Sequence, residues 1–139
     1  MDKAIIAMYD KHFRDGMSFH NSNNFPVAIT CFEKALNSFP GDTKIFDSAE
    51  ILQLYVHSTF MICRCCHLFL KEQADGYIAK EIDEKFDIYW VRLFAYIAHF
   101  DDKTQKDLCR KINSWLKENG SSLDAFVSLE NIKNKLGLS

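Results

Sequence analysis

Apolar residues recur along this chain at intervals of three and four, the period of an α-helix, and never in the alternation that marks a strand. Ala4, Ile5, Met8, Phe13, Met17 and Phe19 predict a first helix from Lys3 to His20. Asn21–Asn24 reads as a turn, and Phe25–Phe39 as a second helix with Pro26 in its first turn. Pro40-Gly41-Asp42 stops that helix, and Asp42 or Thr43 is placed to cap a third one beginning near Lys44. Two continuations are open at His57-Ser58-Thr59: a short turn with Ser58 as the next cap, or a bend without a break. Phe60–Lys71 is apolar almost all round, which places it in the middle of a bundle or under a partner. After Ala74-Asp75-Gly76 a helical stretch runs to Phe100, with Asp83–Asp87 as the place where it would break. Asp101–Thr104 is the next turn and a helix follows to about Glu118. Beyond Gly120-Ser121-Ser122, the stripe Ala125, Phe126, Leu129, Ile132 and Leu136 predicts a last helix over 123–136, with Ser121 and Asp124 forming its cap.

These elements add up to an all-α fold in one domain of residues 1–139. It consists of helix pairs at about 9–42, 43–73 and 76–119, with a helix at 123–136 covering the end of the stack. The net charge of -2 gives no overall pull toward nucleic acid or an anionic membrane. Lys103, Lys106, Arg110 and Lys117 line one side of a helix, but Asp101, Asp102 and Asp107 cancel much of their field, so no nucleic-acid partner is expected. The longest apolar run, Ile51–Leu70, carries Gln53, His57, Arg64 and His67, too polar a load for a membrane span. Acidic residues in Met1–Asp10 make a signal peptide unexpected, and an odd count of five cysteines in helical sequence reads as free thiols. The expected setting is the cytoplasm, with the nucleus as a further compartment.

Little in the chain points to catalysis. Five glycines and no phosphate-cradling loop, with histidines 12, 20, 57, 67 and 99 in no nucleophile or paired-carboxylate context, make an enzyme and a resident cofactor unexpected. Cys63, Cys66 and His67 share a helical face while Cys65 points elsewhere; a metal there would need Cys31 or Cys109 as a fourth ligand. That metal- or redox-responsive reading is one alternative, against small residues packing a crowded helix. A self-associating structural domain, burying the apolar face of Phe60–Leu70 between two copies, is another.

The helix around Tyr89–Phe100 divides into three faces. Val91, Ala95 and Ala98 are small and suit close helix contact, and Trp90, Leu93, Phe94 and Ile97 read as core. Tyr89, Arg92, Tyr96 and His99 form a polar-aromatic stripe of the residue types that dominate binding hot spots. That stripe is the first candidate for partner binding.

Gly16, Phe19, Ala28, Phe32, Ala35 and Pro40 stand at the offsets of a helix–turn–helix unit of about 34 residues. Small Gly16 and Ala28 would let two helices approach, with Phe19 and Phe32 filling the space around them. The segment from Tyr9 to Asp42 thus resembles a tetratricopeptide repeat. The resemblance implies a non-enzymatic protein-binding adaptor in which Asp10, Phe13, Met17 and His20 face the concave side. Chaperone-binding members of the family clamp a terminal carboxylate with Lys and Asn where this chain has Phe13 and Met17, so a hydrophobic groove at Phe13, Met17 and His20 is expected instead. With Tyr89-Trp90-Val91-Arg92-Leu93-Phe94 and the end Glu130–Leu136, the arrangement is also similar to the N-terminal domain of fungal SGT-type co-chaperones. That likeness implies a Skp-type adaptor and a heat-shock chaperone as partners, in ubiquitin-ligase or kinetochore assembly, and a homodimer.

Overall fold

The computed structural model describes residues 3–41, 43–73 and 75–119. The expected last helix at 123–136, its Ser121 cap and the Asp42 cap lie outside them. Among the described residues there are five α-helices and no strand: α1 Lys3–Asn21, α2 Phe25–Leu36, α3 Ala49–Glu72, α4 Tyr77–Ile97 and α5 Asp102–Glu118. The fold is all-α. No helix among the described residues is long and apolar enough to cross a membrane.

The chain folds into two compact units, Met1–Leu93 and Phe94–Ser139, which divide within α4. In the first unit α2 packs against both α1 and α3. Its inward side is built from Phe25, Ala28, Ile29, Phe32 and Ala35, at most 4% exposed. Side chains such as Ile29 and Phe32 contribute about 1.5–3 kcal/mol each by leaving water. Gly16 of α1 meets Phe32 closely: a Cβ added there would stand 2.7 Å from Phe32 Cε1. Phe19, expected to fill the space beside that contact, is instead 39% exposed. Between α1 and α2, Asn23 takes φ 61°, a left-handed conformation that Asn tolerates better than most residues. Asn24 occupies the cap position of α2 but makes no side-chain capping bond.

The interval expected to hold a second helix pair is built differently. Ile45–Asp47 forms one 3₁₀ turn, and Ser48 then caps α3 by accepting from the Ile51 amide at 3.3 Å. From there α3 runs 24 residues without a turn at His57-Ser58-Thr59. The reason is Tyr9. Its hydroxyl donates to the Leu54 carbonyl at 2.8 Å and lies 2.6 Å from Ser58 Oγ, which is left to donate back. Ser58 is therefore a fully buried, satisfied polar group in mid-helix and not a cap. Tyr9 also stacks on Phe13 and packs on Phe39, so one side chain ties α1 to α3 and to the segment that follows α2.

In α4 the charges at Asp83–Asp87 cause no break, because Ala79, Ile82, Phe86, Tyr89, Trp90 and Leu93 carry one buried face straight past them. In the second unit Asp101 caps α5, its carboxylate accepting from the Thr104 amide at 2.7 Å. The Thr104 side chain, and then its amide, hydrogen-bond the carboxylate and lower the Asp101 pKa below its ordinary value. Gln105 then donates to the Ala98 and Phe100 carbonyls, holding the turn before α5. Cys109, Ile112 and Leu116 are buried along the same helix.

Candidate interaction surfaces

α4 presents two opposite faces. Toward the interior of the first unit, Glu33 of α2 accepts from Lys85 Nζ at 2.8 Å and from the Tyr89 hydroxyl at 2.7 Å, one carboxylate oxygen to each. These charge-assisted bonds pin α4 to α2. Phe86 packs toward His67 of α3 and against Trp90 on the same side.

Of the four residues in the expected stripe, Tyr89 is thus turned inward, 9% exposed, and bonded to Glu33. Arg92 is exposed, and its guanidinium lies over the Tyr89 ring at 5.3 Å, a cation–π contact that holds it along the helix flank. Tyr96 is half-buried and His99 exposed; both belong to the second unit, so the stripe is divided between the two units. The small face was expected to pack and does the reverse. Val91 is 52% exposed and Ala95 is exposed, since the Glu33 bonds rotate the opposite side of α4 inward. Trp90, Leu93, Phe94 and Ile97 are buried, as expected of core.

α4 exposes charged side chains, Lys80, Glu81, Asp83, Glu84, Asp87 and Arg92, with apolar ones among them. Tyr77, Ile78, Ile88 and Val91 are four of the eight large hydrophobic side chains exposed among the described residues. Glu81 and Glu84 lie between them on the same side, at the three- and four-residue steps that keep one face in line.

The other expected site, on α1, is partly absorbed into the fold. Phe13 is half-buried, edge-on to Phe32 at 5.3 Å and against the His57 ring of α3 at 4.7 Å. Met17 is half-buried one turn on. His20 packs edge-on against Phe25 at 5.7 Å, with Nδ1 3.2 Å from Asn21 Oδ1. Phe13 therefore meets α2 and α3 together, which its position on α1 alone did not reveal. Further along α3, the Arg64 guanidinium lies over the Phe60 ring at 5.8 Å.

The sulfur cluster is buried. All five cysteines are free thiols. Burial pushes Cys63 well above its ordinary pKa and Cys65 and Cys66 up to about 12, so they are neutral at physiological pH, whereas metal ligation and thiol exchange need thiolates. Among the described residues no three His, Cys, Asp or Glu side chains converge to hold a metal ion. The face Phe60–Leu70 is likewise largely occupied by the chain's own packing, with Met61, Ile62, Cys63, Cys65, Cys66, His67 and Phe69 all buried.

Two histidines link this packing to pH. Burial, then Arg64, lowers the pKa of His57 below the ordinary 6.5; burial, then Lys71, does the same for His67. Acidification through that value protonates the unfolded chain before the folded one. Stability is therefore fully present above pH 6.5 and falls as pH drops, levelling once the folded imidazoles also titrate. Urea midpoints measured in that window should decline, and His57→Gln with His67→Gln should flatten the decline. No loss of stability just below pH 6.5 in the unaltered chain would contradict the burial of both rings.

No family model, curated protein or solved structure matches the chain.

Proposed function

We propose that this protein is a non-enzymatic helical adaptor that works by protein–protein contact, with the outer face of α4 as its working surface. The observation that carries this reading is the exposed apolar side of α4, where Ile88 and Val91 stand in water at about half exposure on the side away from Glu33. Burying such a strip against a partner releases ordered water, and Arg92 at its edge supplies the residue type enriched at binding hot spots. The neutral, buried thiols favour this reading over a metal- or redox-responsive one. A tetratricopeptide-like origin for the α1/α2 pair agrees with the tight seat of Gly16 on Phe32. The Skp-type adaptor and heat-shock chaperone implied by the sequence resemblance are the first partners to test.

Affinity capture by the unaltered chain, run beside an Ile88→Glu/Val91→Glu variant, tests the reading. Both positions are exposed, so the variant should keep its melting temperature while losing the partners recovered by the parent. Equal recovery from both proteins would overturn the assignment of α4.

A further inference from the structure

The exposed side of α4 has an acidic middle between two apolar ends. Tyr77, Glu81, Glu84, Ile88 and Val91 follow one another at steps of four and three, and all five are exposed. Exposed Lys80, Asp83 and Asp87 run along one flank of that line, and Ile78, Lys85 and Arg92 along the other. From Glu81 to Asp87, two turns of helix carry four exposed carboxylates, Glu81, Asp83, Glu84 and Asp87. Lys85, the one cation among them, is committed to Glu33. Lys80 stands before this belt, and Arg92 stands after it, over the Tyr89 ring. None of the four carboxylates forms an ion pair among the described residues. Tyr77 and Ile78 bound the belt on one end and Ile88 and Val91 on the other, and all of these residues belong to the first unit.

We propose that this face takes a basic amphipathic helix of another protein, with Lys or Arg over the acidic belt and apolar residues at both ends. The inference rests on the reading of α4 as the working surface and states the chemistry of its partner. Four carboxylates within two turns repel one another, and cations from a partner relieve that repulsion. The apolar ends leave water in the same event. At 1.5 Å of rise per residue, Tyr77 and Ile88 stand about 16 Å apart along the axis. A partner helix that meets both therefore needs apolar anchors about three turns apart with cations between them. A nucleic acid or an anionic lipid surface would bring like charge to the belt, and a second copy laid on it would set one belt against the other. Tyr89 stays on Glu33 throughout, because the docking face is opposite the one that closes the fold.

The test titrates the full chain into two synthetic amphipathic helices of about 18 residues, one of Leu and Lys and one of Leu and Glu, followed by fluorescence anisotropy. The Leu–Lys peptide should bind saturably below about 1 mM and weaken about tenfold between roughly 50 and 500 mM salt, while the Leu–Glu peptide should not bind. Glu84→Lys and Asp87→Lys should each weaken the Leu–Lys peptide about fivefold with the melting temperature unchanged. Ile88→Ser combined with Val91→Ser should weaken it as well, whereas Asp15→Lys, at an exposed position on α1, should leave binding as it is. No binding of the Leu–Lys peptide, equal binding of both peptides, or equal losses from Asp15→Lys and Glu84→Lys would each overturn the proposal. Sedimentation showing that the chain pairs with itself through Val91 would overturn it in favour of a second copy. A chain that ignores the Leu–Lys peptide yet still captures a protein through Ile88 and Val91 rejects the basic partner and leaves the adaptor reading in place. Captures that ignore Ile88 and Val91 as well end both.

Discussion

Truncating Phe32 to alanine should destabilise the protein by about 3–5 kcal/mol, a large part of what a small domain has in total. The ring is fully buried, with Gly16 on one side and Phe13 edge-on at 5.3 Å. The reciprocal substitution is more diagnostic. Gly16→Ala in an ordinary helix would gain roughly 1 kcal/mol of propensity. Here the new methyl would stand 2.7 to 2.8 Å from three ring carbons of Phe32, far inside van der Waals contact. The net result should be a loss of about 1–3 kcal/mol, as for other overpacked cores. Phe32→Leu in the same chain should recover part of it, because the shorter side chain vacates the methyl's space. Chemical denaturation of the two single variants and the double variant measures the coupling directly. Additive changes, or a Gly16→Ala variant more stable than its parent, would show that α1 and α2 do not meet where the structure puts them.

The second large effect belongs to Tyr9. Tyr9→Phe keeps the ring on Phe13 and Phe39 but removes the hydroxyl that bonds Leu54 and Ser58. A buried serine then loses its partner from α1, and the expected cost is about 1–3 kcal/mol. Ser58→Ala should cost less, below about 1 kcal/mol, because the Tyr9 hydroxyl still has the Leu54 carbonyl to donate to. Urea midpoints for the two variants test that inequality. Equal costs, or none for Tyr9→Phe, would mean the hydroxyl is not what joins α1 to α3. Burial also raises the Tyr9 pKa above 10.0. The unfolded phenol ionises first, so this contribution is present below pH 10 and is lost as pH rises beyond it.

Much of the first unit was legible in local pattern. Apolar spacing placed α1 within one residue of its observed end, and Pro26 marked the start of α2 because proline acts on its own backbone, but α2 ends at Leu36, short of the expected Phe39 and Pro40. Gly16 beside an aromatic at the right offset foretold a close approach, since only a missing side chain permits one. The candidate site was legible to a smaller degree. Arg92 was identified and is exposed, but Tyr89 and Val91 exchanged their expected environments. No periodicity could have shown this: both faces of α4 carry apolar residues, and Glu33, 52 and 56 residues before its partners Lys85 and Tyr89, selects which one turns inward.

Local sequence therefore determined the helical character of the chain, the extent of α1 and the start of α2, through backbone preferences that neighbouring residues set within a turn or two. The tertiary structure alone decided that α3 passes unbroken through His57-Ser58-Thr59. It also decided which side of α4 stays exposed. In both places a polar group is satisfied by a residue about fifty positions away, and a hydrogen bond of that range leaves no periodic trace along the chain.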